Sequence, residues 1–211
     1  KKSSLLYVPF SKSALSLGGS AFAQSLNALG NDVPQIESAE YFKTVFNTVQ
    51  KLVNKSWLLA AHDVSAGGLV TTLLEMTFAN VDGGMNINLD DFNDPDTVKI
   101  LFSENPAIVL QIAENNLEKV EKLLSDNGIT SYNIGCPAVE RMLMVGNGDA
   151  QYAFMIDYLR DVWYKTSYLL DRKQSGAKCA ANRYNNYKKQ PLRYRFPKDF
   201  TGKLATEGLT L

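Results

Sequence analysis

The sequence predicts a mixed β-sheet flanked by helices, with one strand buried on both faces. Residues 57–61 are apolar without alternation, as in a strand whose two faces are both covered. Residues 85–89 alternate apolar and polar side chains, which is typical of a strand exposed on one face. Segments 41–53 and 69–78 repeat apolar side chains at helical spacing. We therefore expect residues 57–61 to form the central strand of a sheet within residues 1–156.

The other elements follow from caps, breakers and periodicity. Ser38 can cap the helix over 41–53 because its hydroxyl accepts hydrogen bonds from amides ahead of it. Asn115 can likewise cap a helix that Gly128 ends. In the first half we predict a strand at 5–8, a helix opened by Gly18, Gly19 and Ser20 that stops at Gly30, a loop at 31–34, and an acidic turn at 90–96 before a short helix. In the second half we predict strands at 107–112, 130–134, 142–145 and 152–156, and a helix carrying Leu117, Val120 and Leu124.

The character of the chain changes after about residue 157. A basic, aromatic segment with prolines begins at Lys188, and such interleaving also occurs on nucleic-acid surfaces. An extended connector fits better, because the preceding domain is acidic and prolines favour extended chain. We expect a helical and extended linker over 157–211 and no nucleic-acid partner. Its predicted helices are one with Leu159, Val162, Trp163, Thr166 and Leu170 on one face, and a weaker one over 180–187.

Composition limits the class of protein. Of 211 residues, 45% are hydrophobic, enough to bury a substantial core in one or two domains. Residues 1–171 carry 12 Lys and Arg against 20 Asp and Glu, whereas residues 172–211 carry 10 against 2. Cys136 and Cys179 are too few for a disulfide framework or a zinc site. Since no signal peptide or membrane-spanning apolar stretch is visible, we expect a cytoplasmic protein without a membrane partner.

The most informative segment is AHDVSAGGL at 61–69. It indicates a strand end, a tight turn and the start of a helix. Ser65 can cap that helix, while Gly67 and Gly68 let a ligand approach amides that favour anions. The strand places the Asp63 carboxylate beside these amides. Mg²⁺ prefers oxygen ligands and is usually bound by carboxylate and phosphate oxygens together. These residues predict a metal–phosphate site, with an ordinary helix entry as the alternative.

Three other features each admit two interpretations. The turn at 18–20 could line a phosphate pocket or simply start a helix. Ser103 and Glu104 could contact a ligand, but a turn cap is favoured. His62 is the only histidine in the sequence, and a structural role at the strand end is favoured over proton transfer. We predict no catalytic residue within this chain.

Four segments resemble one family in order and spacing. The motif at 61–69 resembles the signature of the aminoimidazole-ribonucleotide-synthetase-like superfamily. LGGSAFAQ (17–24), LFSENPAIVLQI (101–112) and LRDVWYKTSYLLDR (159–172) point to its large-form phosphoribosylformylglycinamidine synthases. By motif order, the chain is similar to the C-terminal domain of the second synthetase repeat, followed by the linker towards a glutaminase domain.

The resemblance implies an α+β domain at 1–156, of the type found at the C-terminus of the superfamily, which packs against its repeat partner. That family converts formylglycinamide ribonucleotide, glutamine and ATP to formylglycinamidine ribonucleotide, glutamate, ADP and phosphate in purine biosynthesis. The implied partners are the remaining synthetase and glutaminase domains of the same polypeptide. Because neither ATP site is complete within the chain and the glutaminase machinery is absent, the isolated chain is expected to be inactive.

The second repeat of that family holds an auxiliary nucleotide. The resemblance therefore implies ATP or ADP with Mg²⁺ as cofactors, Asp63 as a Mg²⁺ ligand and Ser65 as a nucleotide contact. With the glycine turns added, the candidate nucleotide-binding residues are Ser65, Gly67, Gly68, Gly18, Gly19 and Ser20.

The chain departs from the family pattern at two places. Ala66 stands where the family usually has Asp, which removes a carboxylate from the implied metal site, and Asn105-Pro106 replaces the usual acidic-x-Gly sequence. Two alternatives stay open. One is a degenerate repeat with a purely structural role, and the other is a domain of a related selenophosphate, thiamine-phosphate or aminoimidazole-ribonucleotide enzyme. The helix at 159–172 argues against the second, because those chains usually end near the last strand.

Overall fold

The computed structural model describes residues 2–186. These residues contain seven β-strands and seven α-helices. The strands are β1 (Ser3–Pro9), β2 (Leu58–Val64), β3 (Gly84–Asn88), β4 (Ala107–Ala113), β5 (Tyr132–Ala138), β6 (Met142–Asn147) and β7 (Ala150–Met155). The helices are α1 (Ala21–Ser25), α2 (Ala39–Asn54), α3 (Gly68–Phe78), α4 (Thr97–Phe102), α5 (Glu114–Asp126), α6 (Ile156–Ser175) and α7 (Ala177–Asn186). A short 3₁₀ turn covers Asp90–Phe92.

All seven strands belong to one sheet, in the order β2-β4-β1-β5-β3-β6-β7. Strand β3 pairs with β6 in parallel, whereas the other described pairings are antiparallel. The sheet is therefore mixed and flanked by helices, which confirms the predicted α+β fold class. The predicted alternation in β3 is also confirmed, since Met85 and Ile87 are buried while Asn86 and Asn88 are exposed.

Strand β1 divides the hydrophobic core into two layers. Leu5 and Tyr7 join the core beneath α3 and α4, whereas Leu6 and Val8 join the core beneath α2 and α5. All four side chains are at most 4% exposed. Because successive side chains of a strand point to opposite faces, a strand buried on both sides carries apolar residues at every position.

The prediction that residues 57–61 form a central, buried strand is wrong. They belong mostly to β2, which lies at the edge of the sheet and pairs with β4 alone among the described strands. Leu59 is 55% exposed, and Ala60 and Ala61 are also exposed. The absence of alternation shows only that both faces lack polar side chains, and it carries no information on which strand pairs with which. The middle position of the sheet belongs to β5, and its neighbour β1 is the strand that is buried along almost its whole length.

Two predicted helix ends also differ from the structure. Helix α1 ends at Ser25 rather than near Gly30, because Asn27 and Gly30 have left-handed backbone angles and the Leu29 carbonyl accepts the Gly19 amide. Helix α5 begins at Glu114 with Ala113 at its N-cap, so the prediction that Asn115 is the cap is wrong. By contrast, the Ser38 cap of α2 is confirmed, since its hydroxyl accepts the Tyr41 amide at 3.2 Å.

The start of α6 packs onto the sheet domain. Ile156 and Leu159 join the core beneath α3, and the Trp163 ring lies 5.3 Å from that of Phe78. Further along, Val162 and Leu170 are more than half exposed, so the predicted apolar face is only partly covered. Within the described residues, no helix is both long and apolar enough to cross a membrane. The predicted basic connector from 188 onwards lies outside the described residues.

Candidate functional site

The first glycine turn is closed by its own backbone. The Gly18 amide donates to the Asp32 carbonyl at 2.7 Å, and the Gly19 amide donates to the Leu29 carbonyl at 2.8 Å. A side chain at position 18 would place its Cβ 2.1 Å from the Asp32 oxygen, so this close approach requires glycine. Ser20 caps α1 by accepting the Ala23 amide at 3.1 Å. The structure therefore explains this turn by local packing.

The second glycine turn begins α3 in a different way from that predicted. Gly67, with φ +90°, occupies the N-cap, and no side chain caps the helix. The prediction that the Ser65 hydroxyl caps α3 is therefore wrong, although the Ser65 carbonyl accepts the Gly68 amide at 2.9 Å. Gly67 and Gly68 both have positive φ, a conformation that the missing side chain permits.

Glu104 joins the two glycine turns. Its Oε1 atom accepts the Gly67 amide at 2.7 Å and the Ala21 amide at 2.8 Å. One carboxylate oxygen thus lies between the start of α1 and the start of α3, where backbone amides favour negative charge. The favoured interpretation of Glu104 as a cap agrees with this contact. The sequence could not reveal the partners, which lie 83 and 37 residues away.

A buried polar network supports the segment around Glu104. The Ser16 amide donates to the Ser103 hydroxyl at 3.0 Å and to Asn105 Oδ1 at 3.1 Å. Asn105 Nδ2 also donates to the Ala14 carbonyl at 3.0 Å. Ser16, Ser103 and Asn105 are at most 4% exposed. Because buried polar groups that are fully bonded hold one geometry, this network fixes the backbone on both sides of Glu104.

Asp63 lies at the end of β2, as predicted, with a side chain that is 77% exposed. It lines a cavity with Phe42, Phe46 and Val49 of α2, and its backbone carbonyl accepts the Thr72 hydroxyl of α3. The structure gives no hydrogen bond between its carboxylate and either glycine turn. Among the described residues, no three His, Cys, Asp or Glu side chains form a cluster that could hold a metal ion.

His62 connects three elements. Its Nε2 atom lies 3.1 Å from Glu75 Oε2 on α3, and its Nδ1 atom lies 2.8 Å from the Asp63 carbonyl. Glu75 Oε1 in turn accepts the Trp163 indole N–H of α6 at 2.8 Å. These contacts link the edge strand, α3 and α6, and they agree with the favoured structural role of His62.

Comparison with known proteins supplies the context for this geometry. Residues 5–136 match the family model described as AIR synthase related protein, C-terminal domain. A protein of Arabidopsis thaliana, named probable phosphoribosylformylglycinamidine synthase, chloroplastic/mitochondrial, is 37% identical over 193 residues, which cover 90% of this chain. The Homo sapiens phosphoribosylformylglycinamidine synthase is 36% identical over 182 residues, or 84% of this chain. The match spans 13% of the length of each of these two relatives.

The fold also matches a solved structure. Thermotoga maritima PurL complexed with ATP aligns with 75% of this chain and 25% of its own, at a TM-score of 0.59 and 13% sequence identity. At that identity the likeness supports the fold alone. The arrangement of the sheet and its flanking helices therefore resembles that of a solved structure.

Proposed function

This chain belongs to the AIR synthase related protein family, whose C-terminal domain it carries, and we propose that it is a piece of a phosphoribosylformylglycinamidine synthase. The observation that carries the proposal is the extent of the match to relatives of that name. A match over 90% of the chain necessarily continues beyond residue 136, where the family model ends. It therefore takes in sequence after the domain that all members share, which favours this enzyme over the other relatives considered.

The whole protein is accordingly proposed to be a glutamine-dependent ligase of purine biosynthesis. It converts formylglycinamide ribonucleotide, glutamine and ATP to formylglycinamidine ribonucleotide, glutamate, ADP and phosphate. This chain contributes no catalytic side chain to that reaction. Its proposed contributions are one part of an auxiliary nucleotide site and a surface on which the other domains pack.

We expect the full-length protein to form formylglycinamidine ribonucleotide and the isolated 211-residue chain to form none, because the chain lacks the repeat partner and the glutaminase nucleophile. The assay supplies substrate and ATP with either glutamine or ammonia, and follows product and ADP. Turnover by the isolated chain above a no-enzyme background contradicts the proposal that catalysis requires the other domains. An inactive full-length protein contradicts the proposed reaction.

The auxiliary nucleotide site is proposed to include Ser65 and the two glycine turns, 18–20 and 67–68. Its support is the position of the Glu104 carboxylate, whose Oε1 atom accepts the amide of Gly67 in the second turn and that of Ala21, which directly follows the first. We propose that a nucleotide phosphate takes the place of this carboxylate on the amides of Gly67 and Ala21. The site is completed by domains outside this chain.

Asp63 is the proposed Mg²⁺ ligand of this site. Its carboxylate side chain is 77% exposed, and His62 Nδ1 lies 3.6 Å from its Oδ1 atom. A carboxylate oxygen suits Mg²⁺, which usually keeps waters and phosphate oxygens as its remaining ligands. The chain supplies this single ligand, since Ala66 stands where the family pattern has a second carboxylate. Bound there, Mg²⁺ would neutralise phosphate charge.

Replacing Glu104 with alanine distinguishes nucleotide binding from a purely structural repeat. If a phosphate must displace the carboxylate, Glu104→Ala frees the amides, and nucleotide-stripped full-length protein should bind ADP about tenfold more tightly. The exposed Glu118 on α5 is the matched control, and Glu118→Ala should leave the dissociation constant unchanged. Calorimetric titration measures both. A lower melting temperature with an unchanged dissociation constant would favour the purely structural repeat. The hydrogen bonds that the Gly18, Gly19 and Gly67 amides already make within the chain support the same alternative.

The exposed edge of β2 is the proposed packing surface for the remaining domains. Leu59 is 55% exposed, and Phe46 and Val53 on the neighbouring helix α2 are 49% and 51% exposed. Large exposed apolar surfaces mark interaction sites more often than free surface. Since the chain spans 13% of its curated relatives, most of such a polypeptide lies outside it and is available to cover this edge.

We propose the cytoplasm as the compartment of the whole protein. The Arabidopsis thaliana relative carries the description chloroplastic/mitochondrial, so an organelle is the alternative compartment. Fluorescence microscopy of the tagged full-length protein, compared with organelle markers, decides between these compartments.

A further inference from the structure

A second cavity lies apart from the proposed nucleotide site. Its volume is about 380 Å³, which falls within the range of about 300–1,000 Å³ for small-molecule sites. It opens between the loop that follows β1, the 3₁₀ turn and the start of β5. None of the candidate nucleotide-binding residues lines it. Its lining includes Tyr7, Lys12, Phe92, Asp94, Lys99 and Tyr132.

Within the described part of the chain, Tyr7 places a hydroxyl without a protein partner at this cavity. The residue is 4% exposed, and its ring packs against Phe92 at 5.1 Å and Tyr132 at 6.2 Å. Among the described residues, its hydroxyl makes no hydrogen bond, and Arg141 Nη2 is the only buried side-chain polar atom without a partner, so the Tyr7 oxygen is accessible from the cavity that it lines. Burial, reinforced by Tyr132, raises the pKa of Tyr7 far above its ordinary value. The hydroxyl therefore stays protonated at neutral pH and can donate a hydrogen bond into the cavity.

The charged side chains that line the cavity leave an excess of one positive charge. Lys99 is paired with Asp94, with 3.3 Å between Nζ and Oδ2. Lys12 has no carboxylate within ion-pair distance among the described residues, and its Nζ lies 4.9 Å from the centre of the Tyr41 ring. The sequence up to residue 171 is acidic overall, so the positive charge at this cavity is opposite in sign to the net charge of the domain. An anion is the complementary ligand.

Aromatic rings form one wall of the cavity. Phe92 and Tyr132 stack with their centroids 4.7 Å apart and their planes 14° apart, and both are partly exposed. Ligand cavities typically combine such apolar surface with a few placed polar groups. We propose that this cavity binds a small organic anion with a flat, unsaturated ring, whose carboxylate or phosphate accepts the Tyr7 hydroxyl and pairs with Lys12. The ring then lies against Phe92 and Tyr132.

The proposal is tested by titrating the full chain with benzoate and phenyl phosphate, followed by ligand-observed NMR and calorimetry. Benzoate represents the carboxylate source and phenyl phosphate the phosphate source. At least one should bind saturably with a Kd of about 1 mM, as expected for so few atoms. Benzyl alcohol and inorganic phosphate, which each lack one half of the pharmacophore, should bind at least about tenfold more weakly.

Two variants address the polar contacts separately. Tyr7→Phe removes the hydroxyl and keeps the ring, while Lys12→Met removes an exposed charge without affecting the core; each should weaken binding about tenfold. Lys43→Met, on α2 and outside the cavity lining, is the matched control and should bind as wild type. Failure of both ring anions to bind saturably overturns the proposal. Binding by either cavity variant at the level of Lys43→Met overturns it as well. The result is independent of whether ADP binds at the glycine turns.

Discussion

Gly68→Ala should destabilise the domain by about 2–4 kcal/mol, the sum of a left-handed backbone forced on alanine and an overpacked contact. Gly68 has φ +72°, and an added Cβ would lie 2.7 Å from the Leu101 oxygen and 2.8 Å from Phe102 Cα. Both are backbone atoms at the end of α4, so they cannot move aside as a flexible side chain would. For a chain of this size, the melting temperature should fall by about 5–15 °C.

Gly128→Ala provides the matched control for that substitution. Gly128 also has a positive φ, +67°, but an added Cβ there would have no atom within 4 Å. Its replacement should cost about 1 kcal/mol from backbone strain alone. Thermal unfolding of the two variants followed by circular dichroism separates strain from steric conflict. Equal melting temperatures would show that close contact between α3 and α4 is not what requires glycine at position 68.

Arg141→Met should be the second strongly destabilising substitution, with a loss of about 2–3 kcal/mol. Arg141 Nε lies 3.1 Å from Asp157 Oδ1, and its Nη1 donates to the carbonyls of Thr77 and Gly83 at 3.2 and 3.0 Å. The guanidinium therefore joins the last turn of α3, the loop before β3 and the first turn of α6. A cation at the end of α3 also complements the helix dipole. Methionine keeps the apolar stem and removes these contacts.

Lys122→Met is the control for Arg141→Met, because it removes an ion pair of a different kind. Lys122 pairs with Asp126 one turn along α5, and the two side chains are 75% and 56% exposed. Such pairs contribute at most about 0.5 kcal/mol. Chemical denaturation should place the midpoint of Arg141→Met well below that of Lys122→Met. Coincident midpoints would mean that α6 does not depend on Arg141 for its attachment to the sheet.

Local features of this fold were predictable from the sequence, whereas strand order was not. Ser38 caps α2 and the alternation in β3 is observed, since both depend on residues within four positions of one another. The location of β2 at the sheet edge depends on the pairing of β1 with β4, which are about 100 residues apart. An apolar run describes the surroundings of a strand and leaves its neighbours undetermined.

The same distinction applies to the candidate site. The sequence predicts the positions of the glycine turns, because positive φ and close approach require glycine at particular positions. The sequence predicts Ser65 as the N-cap of α3, whereas Gly67 occupies that position in the structure. Serine and glycine are both common at N-caps, so the local sequence does not decide between them. The hydrogen bonds of Glu104 with the Ala21 and Gly67 amides could not be predicted from the sequence. They form only when α1, α3 and the segment after α4 have come together in the folded domain.

The most direct test of the central proposal is the nucleotide released when purified full-length protein is denatured, compared between wild type and Asp63→Asn. Asparagine keeps the size of the side chain but removes the anionic oxygen that Mg²⁺ prefers. If this domain contributes to an auxiliary nucleotide site, wild type should release about one equivalent and the variant clearly less. The melting temperature of the variant should also be lower, because a ligand that binds only the folded protein stabilises it. Turnover should fall only partly, since the reacting ATP is proposed to bind elsewhere. A variant that retains a full equivalent of nucleotide and melts like wild type would contradict the proposal.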